Sequence, residues 1–541
     1  MNKAFLLYTV VSLFYLATPT YVLKPPKPGA TAIAQTPATI SFDGDALLHS
    51  DSVGSNGTIN IGGQSINYHA VSGTIVVHPA GWDDAAKPSN SEDSPEAAMS
   101  YVAYFKRGGS SANRPVTYIY NGGPGASSVW LHMGAFGPQR LQTSEKGHTP
   151  AAPYHIVENA YCLLDASDLV FIDAPGTGFG RIAGKNKEKA FFGVDADASA
   201  FGEFIKIFMS RFNKWNVPKY LMGESYGGLR SAVLVNNLQA NDNIDFNGVI
   251  FLSQVLSYNL SANVLKANPG YDEAYVNILP SYAATAWYHN RIAGTRPKNL
   301  EEFLHDAEQF ASGAYATALQ VGSALGPQRK QAIAEQLAHF TGLPVTYILK
   351  ANLRVEPAVF LKMLQDDNGF TTSRLDVRFF GFDMDPLSKD AEYDPLSAAI
   401  SSAYMSSFND YSHKVLGYGK DRAYKPDANV SILDWNYTHQ SPGASFPVPW
   451  ILNALPDLAY AMKTNPDLKI MINGGYFDLA TPFYEGWYEL HHLQIPESLN
   501  KNIEYHYYES GHQIYVHEKS LRKLHDNVAA FIKASSTGTK N

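Results

Sequence analysis

Ser225 stands in the pentapeptide Gly223-Glu224-Ser225-Tyr226-Gly227, after the strand-like segment KYLM (219–222) and before a helical segment. This is the G-x-S-x-G pattern of a nucleophile elbow, in which a tight strand-to-helix turn lifts a serine hydroxyl above a sheet edge. Glycines on either side let neighbouring backbone pass where a Cβ atom would clash. The start of the helix also favours the negative charge that develops when the hydroxyl attacks a carbonyl group. The pattern predicts that Ser225 is a catalytic nucleophile.

A serine hydroxyl becomes a good nucleophile only when an adjacent base removes its proton, so Ser225 needs a histidine and an acid elsewhere in the chain. In the α/β-hydrolase fold these partners follow in the order Ser, Asp or Glu, His. That order excludes Asp173, which ends a strand-like segment but precedes the serine. Asp478 meets the requirement, because it follows the strand-like segment KIMIN (469–473) and a Gly-Gly turn. Asp467 precedes that segment and would lie at the opposite edge of the sheet.

One of the histidines near the C-terminus has the position expected of the base. His512 lies in ESGHQIY, after the strand-like segment IEYHYY (503–508) and before a helical segment. A histidine in that loop can reach the serine and be oriented by the acid. The sequence therefore predicts a catalytic triad of Ser225, Asp478 and His512. The other histidines of this region fall within a strand or on helices: His491, His492, His506 and His517.

A glycine-rich segment, NGGPGASS (121–128), follows the strand-like segment VTYIY (116–120). Its glycines leave backbone N–H groups unobstructed, as an oxyanion hole requires. The nucleophile elbow supplies a second donor, the N–H of Tyr226, which follows the serine. Taken alone, the glycine-rich segment would favour an ordinary Gly-Pro turn over an oxyanion hole.

The elements that must position these residues are short strands alternating with amphipathic helical segments such as 200–212 and 230–239. This alternation predicts an α/β-hydrolase fold, with a mostly parallel central sheet and helices on both faces. From about residue 256 to 445 the alternation lapses into helical and loop-rich sequence. We expect a core formed by 52–255 and 446–541, interrupted by a large, mainly helical lid insertion over 256–445. An independent second domain is the weaker alternative, because strand-like segments resume after it.

Residues 1–34 are expected to be a signal peptide and lead-in. They begin with an early lysine and an apolar run that is too short for a comfortable membrane span. An uncleaved membrane anchor is the alternative, because the small-x-small sequence Ala32-Ile33-Ala34 lies far beyond the apolar run. A lipid anchor is excluded, since the one cysteine is Cys162. A single cysteine also allows no intramolecular disulfide, which favours an exported bacterial protein, periplasmic or secreted.

The 541 residues are 45% hydrophobic and 17% charged, and they carry a formal net charge of −8. Such a composition is globular, and the negative charge argues against a nucleic-acid partner. Neither an H-E-x-x-H motif nor a cysteine cluster is present, and triad chemistry needs no metal or organic cofactor.

Five segments, in order, resemble those of the serine carboxypeptidase family: NGGPGASS, FIDAPGTGFG (171–180), GESYGG (223–228), the Asp478 segment and the ESGH loop (509–512). The resemblance covers about 99–255 and about 445–535. Within the insertion, TSRLDVRFFG (372–381) looks like a segment of bacterial members.

This resemblance implies roles for four more residues. The N–H groups of Gly123 and Tyr226 would be the oxyanion donors, and Asn121 and Glu224 would hold the C-terminal carboxylate of a peptide substrate. A glutamate can hold a carboxylate only if the two share a proton, which predicts a preference for acid pH. Ala126 departs from the cysteine of eukaryotic relatives, in keeping with the missing disulfides.

We therefore expect a serine-type carboxypeptidase that removes C-terminal amino acids from peptides through an acyl-enzyme on Ser225. Three alternatives stay open. An esterase or acyltransferase would use the same triad without needing a free C-terminus, and an aminopeptidase would need acidic groups for a substrate ammonium. A non-catalytic binding protein on a hydrolase scaffold would ordinarily have lost a triad member, and none is lost here.

Overall fold

The computed structural model describes residues 48–82, 94–108, 113–261, 269–430, 434–448 and 452–536, so the expected signal peptide lies outside the described residues. Strands within these ranges are β1 (Ser52–Ile61), β2 (Gln64–Val77), β3 (Glu96–Lys106), β4 (Val116–Tyr120), β5 (Gln139–Gln142), β6 (His155–Glu158), β7 (Asp168–Ile172), β8 (Arg181–Ala183), β9 (Lys219–Glu224), β10 (Gly248–Leu252), β11 (Phe370–Thr372), β12 (Phe380–Phe382), β13 (Lys469–Gly475) and β14 (Ile503–Tyr508).

The helices of the described ranges are α1 (Val129–Leu131), α2 (Lys187–Phe191), α3 (Val194–Arg211), α4 (Tyr226–Asp242), α5 (Glu273–Tyr288), α6 (Leu300–Phe310), α7 (Ala316–Val321), α8 (Pro327–Thr341), α9 (Val345–Lys350), α10 (Pro357–Met363), α11 (Pro395–Tyr411), α12 (Leu455–Thr464), α13 (Phe483–His491) and α14 (Glu518–Ser536). No helix in this part of the chain combines the length and the apolar character needed to cross a membrane.

The central sheet has the strand order β1-β2-β3-β7-β4-β9-β10-β13-β14, with β8 added beside β3. Strands β7, β4, β9, β10, β13 and β14 run parallel, whereas β1, β2 and β3 form an antiparallel extension. Glu224, the last residue of β9, pairs with Leu252 of β10, which pairs in turn with Asn473 of β13. The carboxyl ends of the parallel strands are therefore level, and the loops that follow them meet at one edge.

Helices cover both faces of this sheet, as the alternation of strands and helices predicts. Leu221 of β9 belongs to a buried core with side chains of α3, α4 and α12. Its neighbour Met222 points to the opposite face, where the core includes side chains of α11 and α14. Because successive side chains of a strand alternate between faces, a strand buried on both sides reads as a continuous apolar run.

Between β10 and α12 the chain forms α5 to α11 and the small β11–β12 hairpin. The buried apolar residues of α5 to α10 form a core of their own, which also includes Phe477, Leu479 and Phe483 from just after β13. The helical region therefore packs onto the loop that carries Asp478. The domain boundaries predicted at 256 and 445 stay predictions.

Candidate active site

The turn from β9 into α4 holds Ser225 in an unusual backbone conformation. Its φ is +61° and its ψ is −126°, a region that residues with a Cβ atom seldom occupy. A Cβ atom at Gly223 would overlap the carbonyl oxygen of Gly227, so this position requires glycine. The turn is tight enough to present the side chain of Ser225 to a cavity at the sheet edge.

Asp478 and His512 meet in the loops that follow β13 and β14. Nδ1 of His512 lies 2.8 Å from Oδ2 of Asp478 and donates to it. Asp478 also accepts from the backbone N–H groups of Ala480 (2.7 Å) and Thr481 (3.0 Å) and from the Thr481 hydroxyl (2.8 Å). These bonds fix the carboxylate, and the carboxylate fixes the imidazole with Nε2 available as a base.

The protonation of His512 depends on the charges around it. Burial lowers the pKa of the imidazole, but the neighbouring carboxyl groups of Asp478 and Glu224 outweigh burial and raise this pKa above its usual value. Arg374 acts in the opposite direction. The His512 carbonyl group accepts a hydrogen bond from the hydroxyl of Ser253 at 2.8 Å, which anchors the loop to the end of β10.

Ser225 and His512 line the same cavity of about 320 Å³. Asn121, Gly123 and Glu224 line it as well, so the structure brings these sequence-predicted residues to one site. Much of the remaining wall comes from α1, through Trp130, and from the insertion, through Tyr258, Arg374 and the α11 residues Leu396 and Ile400.

Glu224 and Asn121 form a buried pair in the wall of this cavity. Nδ2 of Asn121 donates to Oε1 of Glu224 at 2.6 Å, and Oδ1 of Asn121 accepts from the N–H of Leu131 at 3.2 Å. The second carboxyl oxygen, Oε2, has no hydrogen-bond partner of good geometry among the described residues. Burial raises the pKa of Glu224 to about 7, although His512, Tyr515 and Asn121 act to lower it. Glu224 is thus a carboxyl group that can be neutral near physiological pH.

The glycine-rich segment lies directly against the nucleophile elbow. A Cβ atom at Gly122 would overlap the backbone nitrogen of Tyr226 and the carbonyl oxygen of Glu224. Tyr226 is the first residue of α4, so its N–H has no partner within the helix. Gly123 lines the cavity with a φ of +101°, a conformation that suits glycine. Backbone from these two segments therefore meets beside Ser225.

The acid rejected on chain order, Asp173, has a different environment. It is buried and accepts hydrogen bonds from the hydroxyl groups of Ser100 (2.7 Å) and Ser128 (2.8 Å). Asp467 precedes β13, at the far edge of the sheet. In the described ranges, no group of three or more His, Cys, Asp or Glu side chains could hold a metal ion.

Sequence reasoning did not identify the cavity residues Trp130, Tyr258, Arg374, Leu396 and Ile400. Leu396 and Ile400 share one face of α11, which a helical spacing of four residues could have suggested. Their position over the sheet edge depends on how the insertion packs, and no local signal in the sequence predicts that packing.

Comparisons with known proteins place this chain in a family. A family model described as serine carboxypeptidase matches residues 90–383, more than half of the chain. A carboxypeptidase Y homolog of Arthroderma benhamiae is 32% identical over 126 residues, 23% of this chain and 23% of the relative. Serine carboxypeptidase ctsa-3.2 of Caenorhabditis elegans is 26% identical over 207 residues, 35% of this chain and 38% of the relative. The chain thus spans less than two fifths of the length of these curated relatives.

The solved structure of Kex1(delta)p, a prohormone-processing carboxypeptidase from Saccharomyces cerevisiae, is similar over most of its length. The match covers 86% of this chain and 91% of that chain, with 15% identity and a TM-score of 0.51. At this identity the likeness shows the fold, so the expected α/β-hydrolase architecture is confirmed. With the family match over residues 90–383, the conclusion is that this chain belongs to the serine carboxypeptidase family.

Proposed function

We propose that this protein is a serine carboxypeptidase that removes C-terminal amino acids from peptides. The observation that carries the proposal is the buried Asn121–Glu224 pair, which lines the same cavity as Ser225 and His512. An esterase needs a nucleophile and a base, but it has no need of a neutral carboxyl group held beside them. A peptide substrate with a free C-terminal carboxylate does need such a neutral carboxyl group, which can donate a hydrogen bond to it.

In the proposed mechanism, Oγ of Ser225 attacks the carbonyl carbon of the last peptide bond while Nε2 of His512 takes its proton. The bond from that carbon to the amide nitrogen then breaks, and His512 returns the proton to the departing amino acid. Asp478 keeps the proton on Nδ1 and stabilises the imidazolium. Water repeats the same steps on the Ser225 ester and releases the shortened peptide.

The backbone N–H groups of Gly123 and Tyr226 are proposed to stabilise the oxyanion. Such donors act on charge that exists only in the tetrahedral state, and the loss of one raises the barrier by about 3 kcal/mol. Support comes from the position of Gly123 in the cavity wall and from the N–H at the start of α4, which has no partner within the helix.

Glu224 is proposed to donate a hydrogen bond to the substrate's C-terminal carboxylate, together with Asn121. Two close anions repel, so the glutamate must be protonated to bind this group. Its pKa of about 7 makes the neutral form available at acid and neutral pH. We expect binding of free-acid peptides to be favoured at acid pH for this reason.

We also propose that the protein is exported to a periplasm or to the medium and that its substrates are peptides. It is supported by the apolar run and early lysine within residues 1–17 and by the single cysteine. Mass spectrometry of the exported polypeptide would identify its N-terminus. Retention of an intact first residue in the membrane fraction would favour the anchor instead.

The test uses N-blocked dipeptides, their C-terminal amides and a simple ester, with wild-type protein and the variant Ser225→Ala. We expect release of the C-terminal residue from the free acids, and its loss in the variant. Turnover of the ester alone would contradict the proposal and favour an esterase. Release of N-terminal residues from unblocked peptides would favour an aminopeptidase, and the absence of any turnover would favour a binding protein.

A further inference from the structure

The segment Arg374–Arg378, between β11 and β12, binds the backbone of both loops that carry the proposed base and acid. The N–H of Leu479 donates to the carbonyl oxygen of Arg374 at 3.0 Å, and the N–H of Val377 donates to that of Phe477 at 3.1 Å. These two bonds enclose Asp478. The N–H of His512 itself donates to the carbonyl oxygen of Leu375 at 2.6 Å.

The side chains of Asp376 and Arg378 add a second set of bonds to the His512 loop. The guanidinium group of Arg378 donates to Asp376 through Nε (2.9 Å) and Nη2 (2.5 Å). Nη2 also donates to the hydroxyl of Ser510 at 3.1 Å, and Asp376 accepts from the N–H of Gly511 at 3.2 Å. A Cβ atom at Gly511 would overlap Asp376, so the loop lies directly on the ion pair.

This ion pair is almost fully buried, with 1% of the Asp376 side chain and 4% of the Arg378 side chain exposed. Burying two charges has a desolvation cost that their attraction only partly offsets, so such a pair is a poor device for stability alone. However, each partner of the ion pair also makes a directional hydrogen bond to a residue just before His512: Arg378 to Ser510, and Asp376 to Gly511. An apolar pair of the same volume could not make those bonds.

We infer that Asp376 and Arg378 are positioning residues, which fix the position of the His512 loop relative to the Asp478 loop. The inference rests on the proposed function, because it assigns the pair a role in that reaction. The bonds described above reach residues around His512 and Asp478, whereas Asn121 and Glu224 stand at the ends of β4 and β9. Loss of the ion pair should therefore lower kcat and leave the KM for free-acid peptides nearly unchanged.

The main test is Arg378→Gln, in which the amide can still donate to Asp376 but not to Ser510 at the same time. A misplacement of about 1 Å between catalytic groups can cost about 100-fold in rate, so we expect kcat to fall between about 10-fold and about 100-fold. We expect KM to change less than about threefold. The rate at which a fluorophosphonate labels Ser225 should fall with kcat, since labelling also needs the base.

The matched control is Arg114→Gln, the same change in another buried ion pair. Arg114 donates to Asp168 at 2.8 Å, with 12% and 2% of the two side chains exposed, but Asp168 begins β7 at the opposite edge of the sheet. This control should lose thermal stability, although Asp168 keeps Lys214 as a partner at 2.8 Å, and it should keep its kcat. An Arg378→Gln variant that loses stability yet keeps wild-type kcat and labelling rate would overturn the inference.

A milder variant keeps the inference testable if Arg378→Gln does not fold. Ser510→Ala removes one hydroxyl and leaves the Asp376–Arg378 pair intact, and we expect kcat to fall several-fold at constant KM. Wild-type kcat in Ser510→Ala, or a change in KM alone, would count against the inference. The two failures differ: wild-type protein without carboxypeptidase activity refutes the proposed function, whereas active wild-type protein with a fully active Ser510→Ala refutes only the positioning role.

Discussion

Glu224 provides the sharpest test of how this site recognises a substrate. In the proposed mechanism its neutral carboxyl group donates to the C-terminal carboxylate, and its anion would repel the same group. The variant Glu224→Gln keeps a neutral donor of nearly the same shape, and its amide oxygen can still accept from Asn121, as Oε1 of Glu224 does at 2.6 Å. The variant should therefore bind free acids without the pH dependence of the wild type.

The magnitude follows from the pKa of Glu224, which burial raises from 4.5 to about 7. Below about pH 7 the carboxyl group of Glu224 is mostly neutral. Well above pH 7, each increase of one pH unit lowers its neutral fraction by nearly tenfold. KM for a free-acid peptide should then rise by about eightfold between about pH 7.5 and about pH 8.5 in the wild type. The corresponding peptide amide carries no charge for Glu224 to repel, so its KM should stay nearly constant.

The assay is steady-state release of the C-terminal residue, for acid and amide substrates, across this pH range. Glu489→Gln is the matched control. Glu489 is also fully buried with a pKa raised by burial to about 7, but it accepts from the N–H groups of Leu256 (2.9 Å) and Ser257 (2.7 Å) and does not line the cavity. Its variant should keep the wild-type profile. The reasoning is refuted if Glu224→Gln retains the alkaline rise in KM, or if acid and amide substrates share one profile.

Three further predictions concern other parts of the molecule. Asp478→Asn should lower kcat by about 10⁴-fold with little change in KM, measured on the free-acid peptide, because the imidazole would take the wrong tautomer. Gly122→Ala should push the glycine-rich segment off the elbow and lower kcat by about 100-fold, while circular dichroism stays native. Burial lowers the pKa of His439, but Asp195 and Asp457 outweigh burial and raise this pKa to about 9. The two carboxylates therefore stabilise the fold fully below about pH 6.5, and this stabilisation is lost as the pH rises to about 9. Urea unfolding should show a loss of about 2 kcal/mol over that range, after discount for the exposure of Asp195, and His439→Gln should abolish it.

The middle of the central sheet could be predicted from the sequence because strands such as β4 are buried on both faces and appear as short apolar runs, and β4 begins and ends at the predicted residues 116–120. The edge strand β14 is only partly buried, but it also begins and ends at the predicted residues, 503–508. The predicted ends of the helices were less accurate than those of the strands. The pattern over 200–212 predicts a helix that in fact begins at Val194, since its first turn carries acidic and small residues that do not continue the apolar stripe.

Candidate triad residues could be chosen from chain order and strand ends, because the α/β-hydrolase fold brings the ends of parallel strands to one edge. The cavity residues whose positions depend on the packing of the insertion could not be located from the sequence. Trp130 of α1 packs against Tyr404 of α11 with the rings tilted and their centroids 4.8 Å apart. Trp130 lines the cavity, and Tyr404 is close enough to Glu224 for the carboxyl group to raise its pKa. Contacts of this kind join residues far apart in sequence, so only the packing of the insertion decides which side chains reach the cavity.

His512 lies between two carboxyl groups whose surroundings differ. Asp478 accepts hydrogen bonds from donors on three residues, whereas one oxygen of Glu224 has no partner of good geometry among the described residues. The first environment fixes the position of a carboxyl group bonded to the imidazole, and the second suits a carboxyl group that can become neutral. The two carboxyl groups nevertheless share an effect, because both raise the pKa of His512.

Activity in the proposed mechanism requires a neutral His512 and a protonated Glu224. An ionised Glu224 raises the pKa of His512. A bound substrate carboxylate should favour the protonated form of Glu224, because two adjacent anions repel. Glu224→Gln removes the anion permanently and should lower the pKa of His512. The acid limb of kcat/KM for the peptide amide should then move to lower pH than in the wild type. An acid limb that stays in place, or moves to higher pH, would show that Glu224 does not influence the base.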